Sequence, residues 1–102
     1  MKRYRVGFSR TADAQVETIE SWRRENRPAA PDMFQQELEG AVRLLQTTPL
    51  IGSSYAAAPV PEVRRLMIGR SRYHVYWEVD VASLTVTILA VWYAGRGSGP
   101  RL

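Results

Sequence analysis

The chain has 102 residues, 45% of them hydrophobic, and a formal net charge of +4 at pH 7. This length suits one domain with a single modest core and is too short for two. The absence of cysteine excludes a disulfide scaffold, a thiol nucleophile and thiolate metal sites, and one histidine excludes a His-rich metal cluster. No cofactor and no metal are therefore expected. The basic balance permits a nucleic acid or an acidic protein as partner and proves neither.

Membrane insertion is not expected from the hydropathy of the chain. No apolar segment approaches the ~20 residues that are needed to cross a bilayer. The basic residues at the start are not followed by the apolar run of a signal peptide, because Ser9, Arg10 and Asp13 interrupt it. A cytoplasmic location with no membrane partner is the simplest expectation.

The first quarter of the sequence predicts a short strand followed by a helix. Alternation over residues 4–8 is typical of a strand. Apolar residues then recur at helical spacing from about residue 10 to residue 26. Ser9 or Thr11 can cap the start of this helix, and Asn26 lies at its predicted end.

A second helix is predicted between Pro31, which suits the first turn of a helix, and residues 47–49. Its buried stripe is predicted to be Phe34, Leu38, Ala41, Val42 and Leu45. Because the break between the two helices is short, they are expected to form an antiparallel hairpin. Trp22 is expected to pack within this hairpin, whereas Arg23 and Arg24 are expected to be a solvated helix end.

The second half predicts a three-stranded antiparallel meander. Segments 63–68, 72–79 and 84–92 are rich in β-branched and aromatic residues, and short turns separate them. Period-two alternation places Tyr73, Val75, Trp77 and Val79 on one face of the middle strand and Arg72, His74, Tyr76 and Glu78 on the other. The first face can close a core, so Trp77 is predicted to be buried. The second face carries cations, an imidazole and a phenol, and function is expected there.

Two segments are expected to lie outside regular structure. Residues 50–61 are small and proline-bearing and are predicted to be a surface connection. Three glycines at alternate positions predict a flexible tail over about residues 94–102. The predicted fold class is α+β, with one domain over residues 1–102: an N-terminal strand, a helical hairpin, and a three-stranded antiparallel meander with the helices packed on one face of the sheet.

This order of elements carries two motifs. Arg-Tyr-His-Val-Tyr-Trp-Glu-Val starts at Arg72, and Ala-Val-Trp-Tyr-Ala-Gly-Arg-Gly starts at Ala90. Together with the paired arginines Arg64 and Arg65, they make the chain resemble the RelE/ParE superfamily of bacterial type II toxins. The second motif looks like the C-terminal signature of ParE-like members. The resemblance implies a toxin that a cognate antitoxin neutralises, with promoter DNA contacted only through the antitoxin.

The resemblance to ParE-like members implies a protein that binds DNA gyrase and traps it on cleaved DNA, without a catalytic set. The RelE pattern has a second basic strand residue where Met67 stands here, and it ends in a tyrosine that does not follow Arg96. These departures favour the ParE-like class. Arginine and tryptophan are frequent anchors of protein interfaces. The predicted target-binding residues are Arg65, Arg70, Arg72, His74, Tyr76, Trp92, Arg96 and Arg101.

The alternative implied by the same resemblance is a RelE-like, ribosome-dependent endoribonuclease acting on mRNA. His74 would then be the general base or acid, and Tyr76 would stack on a base of the RNA. The residues that would hold phosphate are Arg65, Arg72 and Arg96. A plainer reading makes His74 a strand histidine hydrogen-bonded to a neighbour such as Glu78. A third class, an antitoxin-binding family member without toxicity, stays open.

Overall fold

The computed structural model describes residues 2–55 and 62–102. Within these residues the chain forms, in order, β1 (Arg5–Phe8), α1 (Arg10–Asn26), α2 (Met33–Thr47), β2 (Ser53–Ser54), β3 (Arg64–Ile68), β4 (Tyr73–Asp80) and β5 (Thr85–Tyr93). The α+β class predicted from the sequence is confirmed. The two-residue strand β2 was not predicted, and residues 56–61 of the expected surface connection lie outside the described residues. No helix in the described part of the chain is long and apolar enough to span a membrane.

Ser9 lies between β1 and α1 and is the N-cap of the helix. Its hydroxyl accepts a hydrogen bond from Ala12 N at 3.1 Å, as an N-cap does. Its backbone N–H donates to Ile88 O at 2.9 Å, and its hydroxyl donates to Leu89 O at 3.3 Å. The same residue therefore caps α1 and ties the start of the helix to β5.

The strands form one sheet in the order β1-β5-β4-β3-β2 among the described residues. β3, β4 and β5 pair in antiparallel fashion, which confirms the predicted meander. β1 pairs in parallel with β5, with Arg5 opposite Thr85 and Phe8 opposite Ile88. Parallel pairing needs a long connection between the two strands. The helices and the meander supply it, so the first and last strands of the chain lie side by side.

A β-bulge separates β5 into two halves. The register with β4 shifts between Tyr76 and Trp77, and Leu89 is the extra residue on β5. In a regular strand Ile88 and Trp92 would share a face. The bulge instead turns Trp92 to the face of the sheet that points away from the core.

The core lies between the helices and one face of the sheet. Its buried residues are Ala12, Phe34, Leu38, Ala41, Leu45, Ile68, Tyr73, Val75, Trp77, Val86, Ile88 and Val91. Four of the five residues predicted for the stripe of α2 are in this set, and Val42 is partly buried against it. The prediction that Trp77 is buried is confirmed, since its side chain is 0% exposed.

Two expectations for the end of α1 are wrong. Trp22 is 46% exposed rather than packed in the hairpin, and Arg23 is 5% exposed rather than solvated. Helical geometry gives the reason: Arg23 follows Ala12 and Ile19 along one face at three- and four-residue spacing, so it continues the inward stripe. Trp22 lies one position off that stripe.

A carboxylate of α2 holds the turn between β3 and β4. Glu37 accepts hydrogen bonds from Arg70 N at 2.7 Å, from Ser71 N at 3.1 Å and from the Ser71 hydroxyl. Burial acts to raise the pKa of Glu37, but these hydrogen bonds and the charge of Arg23 outweigh it and lower the pKa below its usual value.

Replacing Glu37 with glutamine is expected to lower the free energy of unfolding by about 1 kcal/mol at neutral pH, because the amide cannot accept all of these bonds. Because the pKa of Glu37 is lower in the folded chain than in the unfolded chain, its carboxylate contributes its full stabilisation at pH values above the unfolded pKa. This stabilisation is lost as the pH falls through the folded pKa. The gap between wild type and variant should therefore close in acid, as measured by urea unfolding. Glu39→Gln, at an exposed position of α2, is the matched control. Equal losses in both variants, or a gap that is independent of pH, would contradict the assignment.

Candidate functional site

The face of the sheet away from the helices carries most of the residues predicted to be functional. We call it the open face. Its cross-strand pairs are Arg65 with Tyr76, Met67 with His74, Tyr76 with Ala90, and His74 with Trp92. Side chains of directly paired residues lie next to each other on one face. The open face therefore places Arg65, His74 and Trp92 on three adjacent strands, and the bulge at Leu89 makes this possible.

Tyr55 covers part of the open face. Its ring meets that of Tyr76 edge-on, with the centroids 4.8 Å apart, and the Arg65 guanidinium carbon lies 5.4 Å from the Tyr55 centroid. Tyr76 is consequently 1% exposed. This burial corrects the expectation that Tyr76 faces solvent and can stack on a base. Tyr55 presents the aromatic surface instead, and no local pattern in the sequence signalled it.

His74 is half-buried on the open face between Met67 and Trp92. Burial lowers the pKa of His74, and the positive charge of Arg65 lowers it further. Both effects favour the neutral imidazole over the protonated form. Among the described residues, no hydrogen bond joins His74 to Glu78, the example of a neighbour given above.

Trp92 fixes the start of the C-terminal tail. The Arg96 guanidinium carbon lies 4.1 Å from the Trp92 ring centroid, and the indole N–H donates to Ser98 O at 2.8 Å. Both contacts hold the backbone after β5 against the tryptophan. Arg96 is thereby placed at the edge of the open face in a stacked arrangement that favours a cation.

The rest of the tail also has defined contacts. A side chain at Gly99 would collide with the Tyr55 hydroxyl, and Pro100 is buried. Arg101, one of the predicted target-binding residues, is exposed. The segment that its glycines predicted to be flexible thus runs against Tyr55, beside the covered part of the open face.

Arg70 and Arg72 lie elsewhere, on the turn between β3 and β4. Both are exposed, and Arg72 has a φ of 61°. They line a groove of about 960 Å³ on the helix side, which Trp92 and Arg96 also line. The predicted site residues therefore form two groups: Arg65, His74 and Tyr76 on the open face, and Arg70 and Arg72 at the groove. Trp92 and Arg96 contribute to both.

The groove itself was missed by sequence reasoning. Its walls come from α1, the connection to α2, the turn before β4 and the end of β5. Among the described residues, no aspartate or glutamate lines it, and five arginines do: Arg23, Arg27, Arg70, Arg72 and Arg96. No single stretch of sequence contains enough of these residues to signal a site, because four separate segments contribute them.

The α+β fold is that of toxins of the RelE/ParE superfamily. The family profile for the ParE toxin of the type II toxin–antitoxin system parDE matches residues 6–97. The chain belongs to this ParE toxin family. No curated protein sequence matches the chain.

Solved structures with the same fold include toxins of related systems. The chromosomal ParDE system of P. aeruginosa matches with a TM-score of 0.71 and 21% identity, covering 89% of this chain and 96% of that chain. The RelBE2 toxin–antitoxin complex of Mycobacterium tuberculosis matches with a TM-score of 0.65 and 21% identity, covering 94% and 97%. A mutant of E. coli RelE in the free state matches with a TM-score of 0.57 and 15% identity, covering 91% and 85%. At these identities the likeness shows the fold alone.

Proposed function

We propose that the chain inhibits growth by binding DNA gyrase and trapping it on cleaved DNA. The observation that carries this proposal is the stacked pair of Trp92 and Arg96 beside Arg65 and His74, in a chain of the ParE family. Tryptophan and arginine are the side chains that most often dominate interface energies. The gyrase contact is assigned to this part of the open face, with Arg101 in the adjoining tail.

The geometry of the pair favours binding because it is preorganised. The indole is held by its hydrogen bond to Ser98, and the guanidinium is held by the indole. Side chains that are already ordered lose less entropy when a partner binds. This arrangement suits a recognition surface in which the cation is presented in a fixed direction.

A cognate antitoxin is the second proposed partner, and the two proteins would meet in the cytoplasm. The matched solved structures include complexes of toxin with antitoxin, such as the RelBE complex of E. coli. We assign the antitoxin contact to the groove between α1 and β5, since that groove combines apolar and basic side chains. Promoter DNA would be contacted through the antitoxin.

Ribosome-dependent mRNA cleavage is the second candidate function, and one observation favours it. His74 has a lowered pKa and lies near the charge of Arg65. A neutral imidazole can accept the proton of a ribose hydroxyl, and a neighbouring guanidinium can hold the scissile phosphate. The cross-strand neighbours of His74 are Met67 and Trp92, however, and neither can act as the acid that the leaving oxygen needs.

Induction of the chain alone in a bacterial host separates these functions. We expect growth arrest with gyrase-linked DNA breaks and an SOS response, and intact transcripts. Replacing His74 with glutamine should weaken the arrest only in part, because glutamine keeps a polar side chain in the contact and a binding surface does not need a titrating group there. Codon-positioned transcript cuts that His74→Gln abolishes would establish the nuclease instead. The absence of arrest at normal protein levels would contradict both and favour an antitoxin-binding protein without toxicity.

A further inference from the structure

Arg23 is a buried cation whose hydrogen bonding is incomplete. It is 5% exposed, and its Nε has no hydrogen-bond partner among the described residues. Burying an arginine without full pairing opposes folding, because a guanidinium loses its hydration and needs acceptors in return. Arg23 nevertheless occupies the inward face of α1, where the preceding residues of the stripe are apolar.

The nearby carboxylate of Glu37 does not complete the hydrogen bonding of Arg23. Glu37 feels the charge of Arg23, since that charge contributes to its lowered pKa. The hydrogen bonds that Glu37 accepts come instead from Arg70 and Ser71 of the β3–β4 turn. The carboxylate is therefore committed to the turn, and Arg23 keeps unused donor capacity.

Arg23 also lines the groove between α1 and β5. The apolar part of the lining includes Ile19, Tyr73 and Val91, and the aromatic rings of Trp22 and Tyr93 are 46% and 44% exposed beside them. Exposed aromatic side chains around an apolar groove are typical of a surface that a partner covers. Arg23 is the buried one of the five arginines in the lining, and a buried guanidinium beside apolar residues is suited to one carboxylate of a partner.

We propose that Arg23 is a specificity-determining residue for the antitoxin, which would supply an acidic amphipathic helix to this groove. Apolar residues of that helix contact the groove lining, and one carboxylate pairs with the guanidinium of Arg23. The inference rests on the proposed toxin–antitoxin function and deepens it. Charge complementarity supports the acidic helix, because the described residues that line the groove include five arginines and no carboxylate. Nucleic acid fits less well. Its phosphates would pair with the four exposed arginines of the lining, and the apolar residues and the buried Arg23 would be left without a partner.

The proposed role of Arg23 predicts that its replacement affects stability and antitoxin binding in opposite ways. Methionine fills a similar volume without charge, so Arg23→Met removes an incompletely paired buried cation and should leave the free chain at least as stable. The same change leaves the antitoxin carboxylate unpaired in the complex, so binding should weaken. Truncating one partner of a buried charge pair costs enough to weaken binding on the order of 30-fold or more. A residue with a purely structural role would lower stability and binding together.

The test uses the full chain and the cognate antitoxin. Dissociation constants and melting temperatures are measured for wild type, Arg23→Met and the matched control Arg27→Met. Arg27 also lines the groove but is exposed, with its guanidinium carbon 5.5 Å from the Trp22 ring centroid. We expect the large loss of affinity for the antitoxin only in Arg23→Met, whose melting temperature should be unchanged or raised. In the control Arg27→Met, the dissociation constant should change by less than about 5-fold.

Double-mutant cycles complete the test. Single Asp→Asn and Glu→Gln changes along the antitoxin should include one whose effect disappears when Arg23 is already methionine. Two results would overturn the role of Arg23 but not the antitoxin as partner. One is an affinity of Arg23→Met for the antitoxin that equals that of wild type. The other is a loss of affinity in Arg23→Met that is accompanied by a lower melting temperature. Failure of the wild-type chain to bind the antitoxin would overturn the proposed partner as well. An RNA oligonucleotide that binds wild type but not Arg23→Met, while antitoxin binding is unchanged, would assign the groove to nucleic acid.

Discussion

Replacing Trp77 with alanine is expected to lower the free energy of unfolding by about 3–5 kcal/mol. The indole is 0% exposed and lies in the main cluster of core residues. Its N–H donates to Pro49 O at 2.8 Å, which ties the centre of β4 to the segment after α2. Alanine would leave a cavity and would remove the donor from a buried carbonyl. Since a domain of this size is stabilised by about 5–15 kcal/mol, this single change should leave the chain marginal.

Urea unfolding followed by far-UV circular dichroism measures this loss. Trp77→Phe keeps an aromatic ring and removes the N–H, so its loss of about 1–3 kcal/mol should be smaller. Trp22→Ala removes an equally large but 46% exposed side chain and should change stability by only about 0.5 kcal/mol. An unfolding midpoint for Trp77→Ala that equals that of Trp22→Ala would show that the core is not centred on this indole.

Replacing Trp92 with alanine is expected to remove growth arrest while the chain stays folded. The substitution deletes the ring on which Arg96 stacks and the N–H that binds Ser98. If the pair is the energetic centre of the gyrase contact, affinity should fall on the order of 30-fold, the effect of a hot-spot truncation. Trp92 is only half-buried, so the loss of stability should be far smaller than that in Trp77→Ala.

Trp22→Ala serves as the matched control for this second prediction, because it removes the same kind of side chain from another element that lines the groove, α1. We expect it to arrest growth like wild type, at the same protein level. Arg96→Ala should reproduce part of the Trp92→Ala effect. Growth arrest by Trp92→Ala that matches wild type in rate and extent would exclude the pair from the target contact.

The elements that the sequence predicts well are those with local causes. The N-cap at Ser9 and the spacing of apolar residues define α1, and the runs of β-branched and aromatic residues define the meander. The burial of Trp77 follows from alternation along β4 alone. Arg65, His74 and Trp92 were predicted to bind the target because of their residue types. The strand register that makes them neighbours could not be predicted from the sequence.

What the sequence did not show depends on contacts between distant residues. The extra residue Leu89 is invisible to a period-two pattern, yet it decides that Trp92 shares a face with His74. Tyr76 is buried because Tyr55 covers it, and a residue 21 positions away in sequence (76 − 55) gives no local signal. The parallel pairing of β1 with β5 likewise joins the two ends of the chain. Helical spacing alone would have placed Arg23 on the buried stripe of α1. The expectation that it is solvated came from its charge.

The most direct test of the central claim is a cleavage assay with purified DNA gyrase, supercoiled plasmid and the chain recovered from its antitoxin complex. We expect the chain to accumulate linear DNA that stays covalently attached to gyrase, and we expect added antitoxin to prevent this. Trp92→Ala should produce little linear DNA at the same concentration, whereas Trp22→Ala should act like wild type. Unchanged gyrase activity at every concentration of folded wild-type chain would contradict the assignment of gyrase as the target.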